Sequence, residues 1–193
     1  MVSRISLFIA LGLLVAWPAE GADAPSQAQP QDSGQRINID FNHPVYRDIQ
    51  REEAQSADHI DGPIDYGTDF PTSGLMAATP SRAGFYNKPL PLESLVHSLE
   101  HGAIVVYYDK LSDDAEDLIR GWTDQYRGAM DAVIAVPNET LGETIVLTSW
   151  EYRLDLPKMD IRASFFVDAF RGRGPEGRIR LGGRPPARPS SKL

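Results

Sequence analysis

Residues 92–102, LESLVHSLEHG, run directly into the apolar segment AIVVYY at residues 103–108. The first segment has its apolar residues at the spacing of one helix face: Leu92, Leu95, Val96 and Leu99. It therefore predicts a short helix that packs one side on a core, and Gly102 suits the left-handed residue that ends such a helix. The continuous apolar run predicts a strand at the centre of its sheet. A helix joined to a central strand by one glycine restricts the chain to a layered α/β fold.

Further along the chain, the apolar pattern predicts two helices and two strands: helices over residues 113–126 and 161–170, strands over residues 132–136 and 144–150. Ser112 is the expected N-cap of the acidic helix start that follows it. The short connection at residues 138–142 favours an antiparallel hairpin between the two strands. The prediction is a single compact α/β domain, with a small mixed sheet, a β-hairpin and flanking helices.

A long irregular segment precedes this domain core. Residues 58–92 contain nine glycines and prolines, which exclude a long helix or strand there. Loops of about 30 residues are uncommon inside compact domains unless they are functional or disordered. The aromatic and aliphatic residues within it predict a loop that is ordered and packs on the domain.

The ends of the chain predict export. Arg4 precedes a 13-residue, mainly apolar region at positions 5–17, and small residues end at Gly21, which is typical of a cleaved signal peptide over residues 1–21. Thirteen residues are too few for a spanning helix, and we expect no membrane span in the mature chain. Residues 22–36 predict a disordered lead-in, 37–176 the domain and 177–193 a flexible basic tail, in a periplasmic or secreted protein.

Composition excludes several kinds of chemistry. The chain has no cysteine, so it has no disulfide, thiolate metal site or cysteine nucleophile. Its net charge is −8, although the residues from Arg171 onward carry seven basic side chains and one acidic one. The domain itself is therefore strongly acidic, which disfavours nucleic acid as a partner.

The polar side of the predicted helix carries His97, Glu100 and His101. Residues four apart on a helix have Cβ atoms about 5 to 6 Å apart, so His97 and His101 can share one metal ion. We expect Glu100 to orient one of the imidazoles by a hydrogen bond. The same His-x-x-Glu-His order occurs in inverzincin peptidases, where the glutamate activates a zinc-bound water, but a domain of this size offers little substrate cleft.

Four spaced motifs resemble bacterial exported proteins of the domain-of-unknown-function family numbered 3105: PTSG at 71–74, NKPLP at 87–91, HSLEHG at 97–102 and LTSW at 147–150. The resemblance covers residues 58–176. It implies His59 as a third candidate ligand, and it usually places a further histidine where this chain has Met76. A thioether beside imidazoles favours copper, especially Cu(I). The alternatives are ordinary packing for Met76 and a turn or cap for His59.

Three functions follow from these residues. The first is an exported metal-binding protein for copper or zinc, without organic cofactor, that binds, delivers or senses the ion through His97, His101, His59 and Met76. The second is a structural domain, or one that binds another exported protein, in which the histidines hydrogen-bond the loop to the helix. The third is a zinc hydrolase. The sequence favours binding over catalysis, and no catalytic residue is assigned.

Overall fold

A six-stranded mixed sheet with three α-helices makes up the part of the chain that this computed structural model describes, residues 39–176. The predicted signal peptide (1–21), lead-in (22–36) and tail (177–193) lie outside the described residues. The predicted α/β class is confirmed. Within residues 39–176, no helix combines the length and the hydropathy needed to cross a bilayer.

The sheet has the strand order β1-β6-β5-β3-β4-β2. Its strands are β1 (Gln50–Arg51), β2 (Gly84–Phe85), β3 (Ile104–Tyr108), β4 (Val133–Pro137), β5 (Ile145–Ser149) and β6 (Tyr152–Leu156). The helices are α1 (Leu92–Glu100), α2 (Asp113–Gln125) and α3 (Ile161–Phe170), with a 3-10 turn at Pro44–Tyr46. The predicted Ser112 cap of α2 is confirmed, because its hydroxyl accepts a hydrogen bond from the amide of Ala115.

Strand β3 lies between β4, to which it is parallel, and β5, to which it is antiparallel, and all five of its residues are buried. Its predicted central position is therefore confirmed. The predicted hairpin between β4 and β5 is wrong, because β3 separates them. Their connection passes over the end of β3, where the amide of Asn138 donates to Tyr108 O at 2.7 Å and the amide of Lys110 donates to Gly142 O at 2.8 Å.

The hairpin in the sheet joins β5 to β6 instead. Its turn is Trp150 and Glu151, and Glu151 has a φ of 67°, a left-handed conformation that is uncommon for a residue with a side chain. This turn lacks the Asn-Gly or Asp-Gly pair that marks most two-residue hairpins in a sequence. The amide of Glu151 donates to Thr72 O at 3.2 Å, so a distant loop supports the turn.

The sheet packs an apolar cluster on each face. On one face, alternate β3 residues join the buried side chains of α2 and α3, including Ile119, Phe166 and Phe170. On the other face, Val105 and Tyr107 of β3 cluster with α1. Helices therefore cover both faces of the sheet: α2 and α3 pack on one face, and α1 packs on the other.

The long loop at residues 52–83 lies along α1. The amide of Ala77 donates to Glu93 O at 3.3 Å, and the amide of Ser81 donates to Ser94 O at 3.1 Å. Ser98, buried in α1, accepts a further hydrogen bond from the Ser81 amide at 2.9 Å. The loop thus covers the polar side of α1, which agrees with the prediction that it is ordered and packs on the domain.

Candidate metal centre

His97 is buried in the last turn of α1, with 6% of its surface exposed. Its Nδ1 lies 2.7 Å from the carbonyl oxygen of Ala77. A carbonyl oxygen only accepts hydrogen bonds, so Nδ1 carries the proton and Nε2 keeps its lone pair in the neutral ring. Burial is the main cause that lowers the pKa of His97, which keeps the ring neutral at pH 7. The hydrogen bond to the loop therefore fixes the orientation of the His97 ring and leaves the lone pair on Nε2, as is usual for a histidine that ligates a metal.

The lone pair of His97 points to the neighbouring imidazole, as the predicted pairing of these histidines requires. His97 Nε2 and His101 Nε2 are 3.1 Å apart, and the two rings are nearly perpendicular, at 85°. Two Zn–N bonds of usual length at a tetrahedral angle separate their nitrogens by about 3.3 Å. The spacing of the two Nε2 atoms is thus close to that of two ligands on one ion.

Glu100 turns a buried oxygen toward the same place. Its side chain is 12% exposed, and Oε2 lies 4.0 Å from His97 Nε2, so the hydrogen bond that was expected between Glu100 and an imidazole is not formed here. This oxygen has no hydrogen-bond partner among the described residues. Burial is the largest cause that raises the pKa of Glu100, and the negative charge of Glu176 adds to it. The negative charge of the Glu100 carboxylate is therefore poorly solvated.

Glu176 contributes a second carboxylate, which sequence reasoning did not identify as a site residue. Its Oε2 lies 3.1 Å from His101 Nε2, and its side chain is 41% exposed. From the sequence alone, Glu176 is only the one acidic residue in a basic stretch. It is also 75 positions from His101, so no local spacing indicates their contact.

Three glycines bring Glu176 to α1. Gly102 ends the helix with a φ of +97°, as predicted, and its carbonyl accepts a hydrogen bond from the amide of Gly172 at 2.8 Å. Gly174 packs so closely that a Cβ atom there would clash with the carbonyl of Glu100. This contact fixes the backbone two residues before Glu176. The spacing Gly172-x-Gly174 was the one sequence signal for such an approach.

His59 approaches the site from the loop side. It is exposed, and its ring centroid lies 4.7 Å from that of His97 in an edge-on arrangement. The His59 segment pairs with Met76 in an isolated parallel bridge, in which the amide of Ile60 donates to Met76 O at 2.9 Å. The side chain of Met76 is fully buried in the apolar cluster beneath α1. Met76 therefore positions His59 through its backbone, while its side chain packs in the core.

Two groups of donor atoms result, in each of which all ligand atoms lie within 4.8 Å of one another: His59, His97 and Glu100; and Glu100, His101 and Glu176. Glu100 belongs to both. The Nε2 of a neutral His101 offers one hydrogen at most, yet His97 Nε2 and Glu176 Oε2 both lie 3.1 Å from it. Electron-pair donors therefore outnumber protons at His101 Nε2.

Residues 59–181 match a protein family described as "Protein of unknown function (DUF3105)". The matched region contains all five donor residues of the two groups. No curated protein and no solved structure matches the chain.

Proposed function

Since the chain belongs to the DUF3105 family, whose function is unknown, we propose its function from the site itself: an exported protein that binds one zinc or copper ion. The observation that supports this most is the buried Glu100 oxygen, which has no hydrogen-bond partner within residues 39–176, beside two imidazole nitrogens 3.1 Å apart. A buried carboxylate without a hydrogen bond or counter-ion is costly. An ion held by His97 and His101 would supply the missing charge.

The site is suited to binding, delivery or sensing of the ion. His97 and His101 would be the primary ligands, since both belong to one rigid helix. His59 is exposed, whereas His97 of the same group is buried. The proposal of export depends on residues 1–21 alone.

Measurement of bound metal tests the proposal. The mature chain, purified and exposed to zinc or copper, is expected to retain about one ion, whereas the double variant His97→Ala/His101→Ala retains none. His43→Ala is the matched control, because His43 is exposed, caps the 3-10 turn and lies in neither donor group. Equal metal content in the double variant and the wild type would refute the proposal.

A structural role without metal is the second candidate, favoured by the hydrogen bond between His97 and Ala77 that ties the loop to α1. In that case the double variant would lose stability, by about 1 to 3 kcal/mol, to the same extent with and without a chelator. Melting curves with and without EDTA therefore separate the two functions.

The zinc hydrolase has less support than either. Two surface depressions have volumes of about 390 and 470 Å³, and their linings contain none of the five donor residues. A substrate cleft at the ion is what a hydrolase needs. Metal-dependent cleavage of peptides or esters that is lost in Glu100→Gln would restore this candidate.

A further inference from the structure

We propose that the site selects a divalent ion of the zinc class over Cu(I), and that Glu176 is the ligand that decides this selection. The inference rests on the proposed function, because it concerns the same ion. The inference goes beyond the proposed function because it names the charge of the preferred ion and adds Glu176, from the far end of the domain, as a ligand.

The chemistry of the donor atoms is the first argument. The two groups offer three imidazoles and two carboxylates. Imidazole and carboxylate suit Zn²⁺, whereas Cu(I) prefers the soft sulfur of thiolates and thioethers. The sulfur that was considered as a ligand belongs to Met76, and its side chain packs in the apolar cluster with Leu95, Val96 and Leu99.

Charge is the second argument. With neutral imidazoles, Glu100 and Glu176 together bring two negative charges, which a divalent ion neutralises and a monovalent ion does not. The difference matters because the Glu100 side chain is only 12% exposed. A residual charge in such surroundings is poorly solvated and destabilises the complex.

The placement of Glu176 is the third argument. The contact of Gly174 with Glu100 and the hydrogen bond from Gly172 to Gly102 fix the backbone that leads to it. Its carboxylate is thereby held 3.1 Å from His101 Nε2. Since the Glu176 side chain is 41% exposed, its removal changes the donor set without opening the core.

Competition titrations with Zn²⁺, and with Cu(I) under anaerobic reducing conditions, test the inference on the mature chain. The wild type is expected to bind Zn²⁺ more tightly than Cu(I). Glu176→Gln should weaken Zn²⁺ binding by at least about tenfold, the loss typical even for groups that only support a ligand. It should change Cu(I) binding by less than about threefold. Met76→Leu, which conserves volume, should leave both affinities unchanged.

Glu143→Gln is the matched control for the loss of one charge, because Glu143 is exposed and lies outside both donor groups. Tighter binding of Cu(I) that is lost in Met76→Leu would overturn the inference, as would an equal effect of Glu176→Gln on both ions. Either result leaves the proposed function standing. If neither ion depends on His97 and His101, the proposed function itself fails.

Discussion

Gly174 lies directly against the carbonyl group of Glu100, so closely that any side chain at residue 174 would overlap it. We expect Gly174→Ala to displace the segment that carries Glu176 and to weaken zinc binding by at least about tenfold. Gly121→Ala is the control, because a Cβ atom added at Gly121 in α2 would meet no atom within 4 Å and should stabilise the helix by up to about 1 kcal/mol. Isothermal titration and chemical denaturation of both variants measure the two effects. Unchanged zinc affinity in Gly174→Ala would show that the position of Glu176 does not affect zinc binding.

Replacement of Glu100 by glutamine should act in opposite directions on the free and the metal-bound protein. Without metal, the neutral amide cannot carry the buried charge whose poor solvation raises the pKa of Glu100, so the melting temperature of Glu100→Gln at pH 8 should rise. With zinc present, the stabilisation seen in the wild type should shrink, because the negative charge of Glu100 beside the ion is lost. Thermal melts at pH 8 with EDTA and with excess zinc compare the two conditions. A fall of the melting temperature in EDTA would show that Glu100 has a stabilising partner in the free protein.

The stability of the metal-free protein should depend on pH through His97. Its pKa in the folded protein is lowered, chiefly by burial, whereas an unfolded histidine titrates near about 6.5. Between the two pKa values the unfolded chain binds more protons, so stability rises with pH there and is lost as pH falls toward the folded value. Denaturation series from pH 5 to 8 in EDTA should be flatter for His97→Gln than for the wild type. His43→Gln, at an exposed histidine, should keep the slope of the wild type.

Ser98 joins the loop to α1, and we expect its hydroxyl to stabilise both the fold and the position of the loop beside the candidate site. Its hydroxyl accepts from the Ser81 amide at 2.9 Å and donates to Ser94 O at 2.9 Å, in a position that is 3% exposed. Ser98→Ala leaves the Ser81 amide with one acceptor fewer and should cost about 1 to 3 kcal/mol of unfolding free energy. Urea denaturation measures this cost. Hydrogen exchange around Ala77 should increase in the same variant, and an unchanged rate would show that the loop is held by other contacts.

The sequence predicted the parts of the fold that local patterns specify. The apolar spacing of α1, the unbroken run of β3 and the cap at Ser112 depend on neighbours in the chain, and all three were confirmed. The hairpin after β4 was predicted wrongly, because loop length alone does not reveal that β3 lies between β4 and β5. The order of strands in a sheet is decided by packing between distant parts of the chain, which a local pattern does not contain.

The candidate site likewise has a part that local sequence patterns predicted and a part that they did not. The pairing of His97 with His101 follows from helix spacing, and the two Nε2 atoms do lie close together. The burial of His97 was not predictable, since it arises from a loop that returns to cover the polar side of α1. Glu176 was missed because glycine contacts, rather than sequence proximity, bring it to His101. Ligation by His59, His97 or His101 stays a prediction, whereas the full burial of Met76 in the apolar cluster favours ordinary packing for its side chain.

The donors come from widely separated points of the chain, from His59 in the loop to Glu176 after α3. A polypeptide still emerging from the ribosome therefore possesses the histidines long before it possesses the last carboxylate. The complete set exists only once α3 has been synthesised and has folded onto the sheet. A truncated product that ends before residue 176 would retain the group of His59, His97 and Glu100 but would lack the carboxylate that completes the other group.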